Sequence, residues 1–91
     1  MNSKFLAHTI REMYNSVMWN EQNNAITKEF TFDDFKSALD FVNKVGALAE
    51  EHNHHPDIEL GWGKVKVTLT THSDGGVTEK DRQLAGAIDT L

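Results

Sequence analysis

Residues 58–72 read Ile58-Glu59-Leu60-Gly61-Trp62-Gly63-Lys64-Val65-Lys66-Val67-Thr68-Leu69-Thr70-Thr71-His72. From Lys64 onward polar and apolar residues alternate, the period of a strand with one face buried. Val65, Val67 and Leu69 point one way, while Lys66, Thr68, Thr70 and His72 point the other. Ile58-Glu59-Leu60 alternates too, and Gly61-Trp62-Gly63 makes the turn, so the stretch predicts an antiparallel hairpin. The parity puts His72 on the polar face or at the open end of its strand, away from a helix-covered core.

Upstream lies the longest helical pattern, over about residues 32–51. Phe35, Ala38, Leu39, Val42, Val45 and Ala49 form an apolar stripe that Phe41 and Leu48 widen. Thr31 is the expected N-cap, with Asp34 at the third helical position in a capping box and Phe30 and Phe35 as a hydrophobic staple. A stripe this wide suggests contact with two surfaces, a sheet and a neighbouring subunit. Pro56 and the residues before it are expected to end the helix.

Working outward, residues 16–21 and 25–30 read as two more strands, joined by the polar turn Glu21-Gln22-Asn23-Asn24. Leu6, Ile10 and Met13 mark a first helix over residues 3–14, with Ser3 as its cap and His8 off the apolar stripe. Ser73-Asp74-Gly75-Gly76 is a loop by composition. Thr78 caps a last helix that carries Leu84, Ile88 and Leu91 at helical spacing. The expected fold is therefore α+β: a four-stranded antiparallel sheet with three helices packed on one face, in the order α-β-β-α-β-β-α.

Ninety-one residues suit a single domain, 1–91, whose thin core favours self-association. With nine basic against fourteen acidic residues the net charge is −5, which argues against direct nucleic-acid binding. No run is long and apolar enough for a membrane span, and the first twenty residues lack a signal-peptide pattern. The absence of cysteine excludes disulfides, thiolate metal sites and cysteine nucleophiles, and fits a reducing compartment. A cytoplasmic protein is expected.

The chemistry concentrates in Glu50-Glu51-His52-Asn53-His54-His55-Pro56 and in His72. Imidazoles exchange protons near neutrality, so a convergence of His54, His55 and His72 would support general acid–base catalysis. Glu50, four residues before His54, is placed to orient a ring. Zinc is the rival reading, with three imidazoles drawn from His52, His54, His55 and His72 and with Glu50 or Asp81 as a fourth ligand. Adjacent histidines in extended chain diverge, however, and no H-E-x-x-H spacing is present. Taken singly, the residues also have structural readings: His52 meets a helix dipole, Asp81 completes a cap, and Trp19 packs in the core.

Their joint spacing is more specific. Glu50, three residues, His54-His55-Pro56, five residues, Trp62, nine residues, His72, eight residues, Asp81: this resembles the signature of pterin-4a-carbinolamine dehydratases. Trp19-Asn20-Glu21, Phe30-Thr31-Phe32 with Asp34-Phe35, and Thr70-Thr71-His72 are similar to that family as well. His52 and the glycine-flanked Trp62 depart from the usual pattern.

The resemblance implies a hydro-lyase that dehydrates 4a-hydroxytetrahydropterin to quinonoid dihydropterin and so recycles the pterin. It implies no metal and no organic cofactor, a small-molecule pterin substrate, and a homodimer or homotetramer. By the same carry-over, His54 and His72 are acid–base residues and His55 binds and positions the pterin. Glu50 and Asp81 orient the imidazoles, while Trp19 and Pro56 shape the pocket. The alternative is a non-catalytic pterin- or protein-binding module of the same fold, acting as a dimerisation cofactor or coactivator.

Overall fold

Alternation in the last two strands dictates the layering of the whole structure, a computed structural model that describes residues 18–91. The elements are β1 (Asn20–Gln22), β2 (Ala25–Thr31), α1 (Phe35–His52), β3 (Asp57–Gly61), β4 (Lys64–Leu69) and α2 (Glu79–Ile88). A 3-10 turn, His72–Asp74, separates β4 from α2. All neighbouring strands are antiparallel, in the order β1-β2-β4-β3. The α+β class and the four-stranded sheet are as expected. Of the three expected helices, the described residues hold two; the first, over 3–14 and including His8, lies outside them.

Buried Val65, Val67 and Leu69 on β4 meet Ile26 on β2, and onto this face pack Ala38, Val45 and Ala49 of α1 and Leu84, Ala85 and Ile88 of α2. The other sheet face is polar, with Glu29, Lys66 and Glu59 in one cross-strand row. One residue on the covered face breaks the apolar pattern. Lys28 is buried opposite Val67, and its Nζ reaches Asp89 Oδ1 at 2.6 Å beside the rings of Trp19 and Phe30. A buried cation needs such a partner, because an uncompensated charge there would be strongly unfavourable.

Both hairpin turns are tighter than their composition suggests. Gln22 pairs with Ala25, so Asn23-Asn24 alone forms the first turn, with φ values of 55° and 64°. Two residues at positive φ make the turn whose twist matches the strands, and asparagine tolerates that region. Of the strand expected over 16–21, the described part in β1 is Asn20 and Glu21, and Gln22, expected in the turn, joins them.

In the second hairpin Gly61 pairs with Lys64, leaving Trp62-Gly63. Gly63 has φ 70°, its carbonyl accepts the Phe32 N–H at 2.7 Å, and a Cβ there would stand 2.8 Å from the Phe32 carbonyl oxygen. Gly63→Ala should therefore destabilise the fold by about 1–3 kcal/mol. Urea unfolding checks this, with Gly61→Ala, at a site where a Cβ meets nothing within 4 Å, as the mild control.

The start of α1 differs from expectation. Asp34, not Thr31, is the N-cap: its side chain accepts the Ser37 N–H at 2.8 Å. Pairing with Lys64 keeps Thr31 in β2, so the cap falls three residues later. Phe35 consequently opens the helix at 44% exposure and the Phe30–Phe35 staple does not form; Phe30 packs on Phe41 instead, ring centroids 4.6 Å apart.

The helix stops at Asn53, within the stretch leading to Pro56 where its end was expected. Asn53 is left-handed (φ 52°, ψ 43°), and its N–H and that of His54 turn back to Glu50 and Ala49 carbonyls. This is a left-handed helix termination with asparagine in the place glycine usually takes. Leu91, expected on the apolar stripe of the last helix, lies beyond α2 and is exposed.

Candidate active site

The left-handed Asn53 reverses the chain and carries His54 from the end of α1 to the start of α2. There Thr78 caps α2, and Asp81, at its third position, completes a capping box by accepting the Thr78 N–H at 2.8 Å. Asp81 is fully buried and accepts two further bonds, from His54 Nε2 at 2.5 Å and from the Thr71 hydroxyl at 2.8 Å. Burial pushes its carboxyl up, but the His54 ring, the Thr78 N–H and the Thr71 hydroxyl together outweigh this and hold it below 3.8. Asp81 is thus both the capping-box residue of α2 and the carboxylate on which the His54 ring rests.

A carboxylate only accepts hydrogen bonds, so His54 must carry its proton on Nε2 when neutral. Its Nδ1 then carries the lone pair of the neutral ring, and no described residue bonds to it. The ring is 13% exposed, enough for contact with a ligand and too little to reorient freely. His55 is held in the same way at the surface, its Nε2 lying 2.6 Å from Glu50 Oε2. Glu50 thus orients His55 rather than His54, whose carboxylate is Asp81. In the open, the Glu50–His55 pair fixes direction and contributes little to stability.

His72 begins the 3-10 turn, one residue past buried Thr71, and is exposed. β4 ends at Leu69, three residues sooner than the alternation suggests, because Thr71 bridges to Gly76 and the chain curls into the turn. His72 lines an open groove of about 390 Å³ with Asn23, Asn24, Ala25, Thr70 and Gly75. His54 and His55 do not line it.

Hydrogen bonds join Glu50 to His55, and His54 through Asp81 to Thr71. The two groups meet only where His54 precedes His55 in the chain, and His72 is tied to them only as the residue after Thr71. Pro56, half-buried, leads from His55 into β3. Trp19 stands apart: its Nε1–H reaches Asp89, beyond the C-terminal end of α2, and its ring meets Phe30 edge-on. Eight residues of helical rise separate Asp89 from Asp81, about 12 Å.

Two network members, Thr71 and Thr78, were not among the expected site residues. Thr71 was detectable. It continues the inward parity of Val65, Val67 and Leu69, and a polar residue on a buried face needs a partner. Asn23 and Asn24, beside His72, carried no signal beyond their turn propensity. Among the described residues, no three His, Cys, Asp or Glu side chains group as a metal site.

A two-layer α+β scaffold with carboxylate-held imidazoles is the class these features define. The profile of the family described as pterin 4 alpha carbinolamine dehydratase matches residues 3–91. The chain belongs to that family.

A protein of Sulfurisphaera tokodaii, provisionally named a pterin-4-alpha-carbinolamine dehydratase, is 46% identical over 89 residues, covering 97% of this chain and 96% of its own. A Picosynechococcus protein with the same provisional name is 51% identical over 73 residues, 80% of this chain and 79% of its own. The crystal structure of a transcriptional coactivator/pterin dehydratase from Brucella melitensis superposes with a TM-score of 0.76 at 32% identity, covering 99% of this chain and 95% of that one. A pterin dehydratase-like protein identified as a RuBisCO assembly factor in the alpha-carboxysome gives 0.71 at 28% identity, over 84% and 90% of the two chains.

Proposed function

We propose that this chain is a single-domain hydro-lyase that converts 4a-hydroxytetrahydropterin to quinonoid dihydropterin and water. The observation that carries the reading is His54, pinned through Nε2 by buried Asp81 so that Nδ1 is its free proton-transfer atom. Family membership supports the substrate class. In the reaction the N5 lone pair forms the C4a=N5 bond and the C4a–O bond breaks. The departing oxygen takes a proton from an imidazolium and leaves as water, while a neutral imidazole takes the N5 proton. His54 and His72 serve as this acid–base pair and His55, steered by Glu50, binds the pterin. Pro56 fixes the direction of the imidazole segment, and Trp19 supports the sheet end from which the pocket is built. No metal or organic cofactor takes part.

The protein works as a homodimer or homotetramer in the cytoplasm. Exposed Phe35 and Leu39, one turn apart on α1, support self-association. No described helix is long and apolar enough to cross a membrane. The net charge of −5 supports a role without direct contact to nucleic acid.

A second reading, a protein-binding module with a vestigial site, draws on the assembly-factor and coactivator descriptions of the structural neighbours. Dehydration of freshly generated 4a-hydroxytetrahydropterin, followed spectrophotometrically, separates the two. The hydro-lyase speeds the reaction well above its spontaneous rate; pterin binding without acceleration supports the module.

A further inference from the structure

The geometry assigns Thr71 a positioning role: its hydroxyl, backed by that of Thr78, fixes the Asp81 carboxylate and through it the orientation of the His54 ring. The inference rests on the dehydratase reading for its purpose, but its structural half stands on hydrogen-bond directions alone. Thr71 Oγ1 lies 2.8 Å from both Asp81 Oδ2 and Thr78 Oγ1. A hydroxyl has one proton, and the ionised carboxylate cannot donate, so Thr71 donates to Asp81. The Thr78 hydroxyl must then donate to Thr71, while its own oxygen accepts the Lys80 N–H at 3.3 Å.

Every proton in the network therefore points towards Asp81. The backbone N–H of Lys80 feeds Thr78, Thr78 feeds Thr71, and Thr71 joins the Thr78 N–H on Oδ2. Such a directed chain strengthens its own members. Its consequence is that Oδ2 is fully engaged and Oδ1 is reserved for His54. Thr71 is 4% exposed, so water cannot replace its hydroxyl without opening the structure. Because Thr71 is also bridged to Gly76 at the point where His72 leaves the sheet, the same residue ties the strand end that carries His72 to the carboxylate that holds His54.

Thr71→Val tests the assignment, since valine keeps the branched shape and suits an inward position beside Val65, Val67 and Leu69 while removing only the hydroxyl. Thr71→Ser is the rescue, restoring the hydroxyl without the methyl. Two readouts are taken: kcat for 4a-hydroxytetrahydropterin dehydration, and the 15N shifts of the His54 ring, which distinguish Nε2–H from Nδ1–H.

The expected result for Thr71→Val is a kcat about 10-fold or more below wild type, a similar KM, and His54 nitrogen shifts displaced from those of wild type as the Asp81 carboxylate loses its fixed orientation. Thr71→Ser should return both readouts close to wild type. Unchanged His54 shifts in a folded Thr71→Val protein would overturn the assignment, as would a Thr71→Ser variant that shares the valine phenotype. If the wild type itself fails to turn over, the dehydratase reading falls, and the ring shifts alone still decide whether Thr71 governs His54.

Discussion

His72→Ala should lower kcat for dehydration by about 10²–10⁴-fold, the usual contribution of a positioned acid or base. The fold should be almost indifferent. His72 is exposed at the start of a 3-10 turn, and its described neighbours in the groove lie around open solvent. Surface substitutions of this kind stay within about 0.5 kcal/mol. The variant thus separates catalysis from stability: equal urea midpoints with a collapsed rate support the role, and undiminished turnover refutes it.

Asp81→Asn should damage both. The amide has one acceptor oxygen for a site where three donors converge. With its oxygen towards Thr71 and Thr78, its NH2 faces His54 and forces that ring's proton onto Nδ1, the atom the reaction needs free. With the amide reversed, the NH2 meets the Thr71 hydroxyl and the Thr78 N–H, and two buried donors lose their partner. We expect about 10²-fold or greater loss of kcat. Stability should fall by about 1–3 kcal/mol, the usual consequence of an unsatisfied buried group.

The pH dependence gives this prediction a second test. The folded-state carboxyl of Asp81 titrates below 3.8, its ordinary value, so the unfolded chain takes up the proton first as pH falls. The stabilisation from ionised Asp81 is therefore complete above about pH 4 and is lost as pH drops through the lowered folded value. The stability gap between wild type and Asp81→Asn should narrow as the pH falls below about 4. A gap that widens below that point would contradict the assigned hydrogen bonding.

How much of this was legible in the chain depends on whether the signal was local. The alternation of Lys64 to Leu69 and the stripe of α1 are local patterns, and the sheet and its helical cover followed from them. Thr78 with Asp81 is a local capping pattern, and it held. The errors came where pairing decides a boundary. Thr31 looked like a cap because only the register with Lys64 shows that it stays in the sheet. Asn23-Asn24 and Asn53 take positive φ in places where composition suggests only a polar loop.

The site shows the same division. Spacing alone singled out the histidines, Glu50 and Asp81, but not which carboxylate holds which ring. That pairing depends on Asn53 reversing the chain, which sends His54 to Asp81 and leaves Glu50 to His55. Trp19, grouped with the site by resemblance, instead braces Asp89 and buried Lys28. Its neighbour in that role, Lys28, shares the inward parity of Ile26 and Phe30, but its charge argued the other way because strand lysines usually face water.

In the proposed reaction His54, His55 and His72 address one pterin. Imidazole 15N–1H spectra recorded while a non-reactive 7,8-dihydropterin is titrated into the wild-type protein test this. The rings of His54, His55 and His72 should shift together along a single saturation curve, while exposed His52 stays still. Separate curves, or a His72 ring that ignores the pterin while His54 and His55 respond, would contradict it.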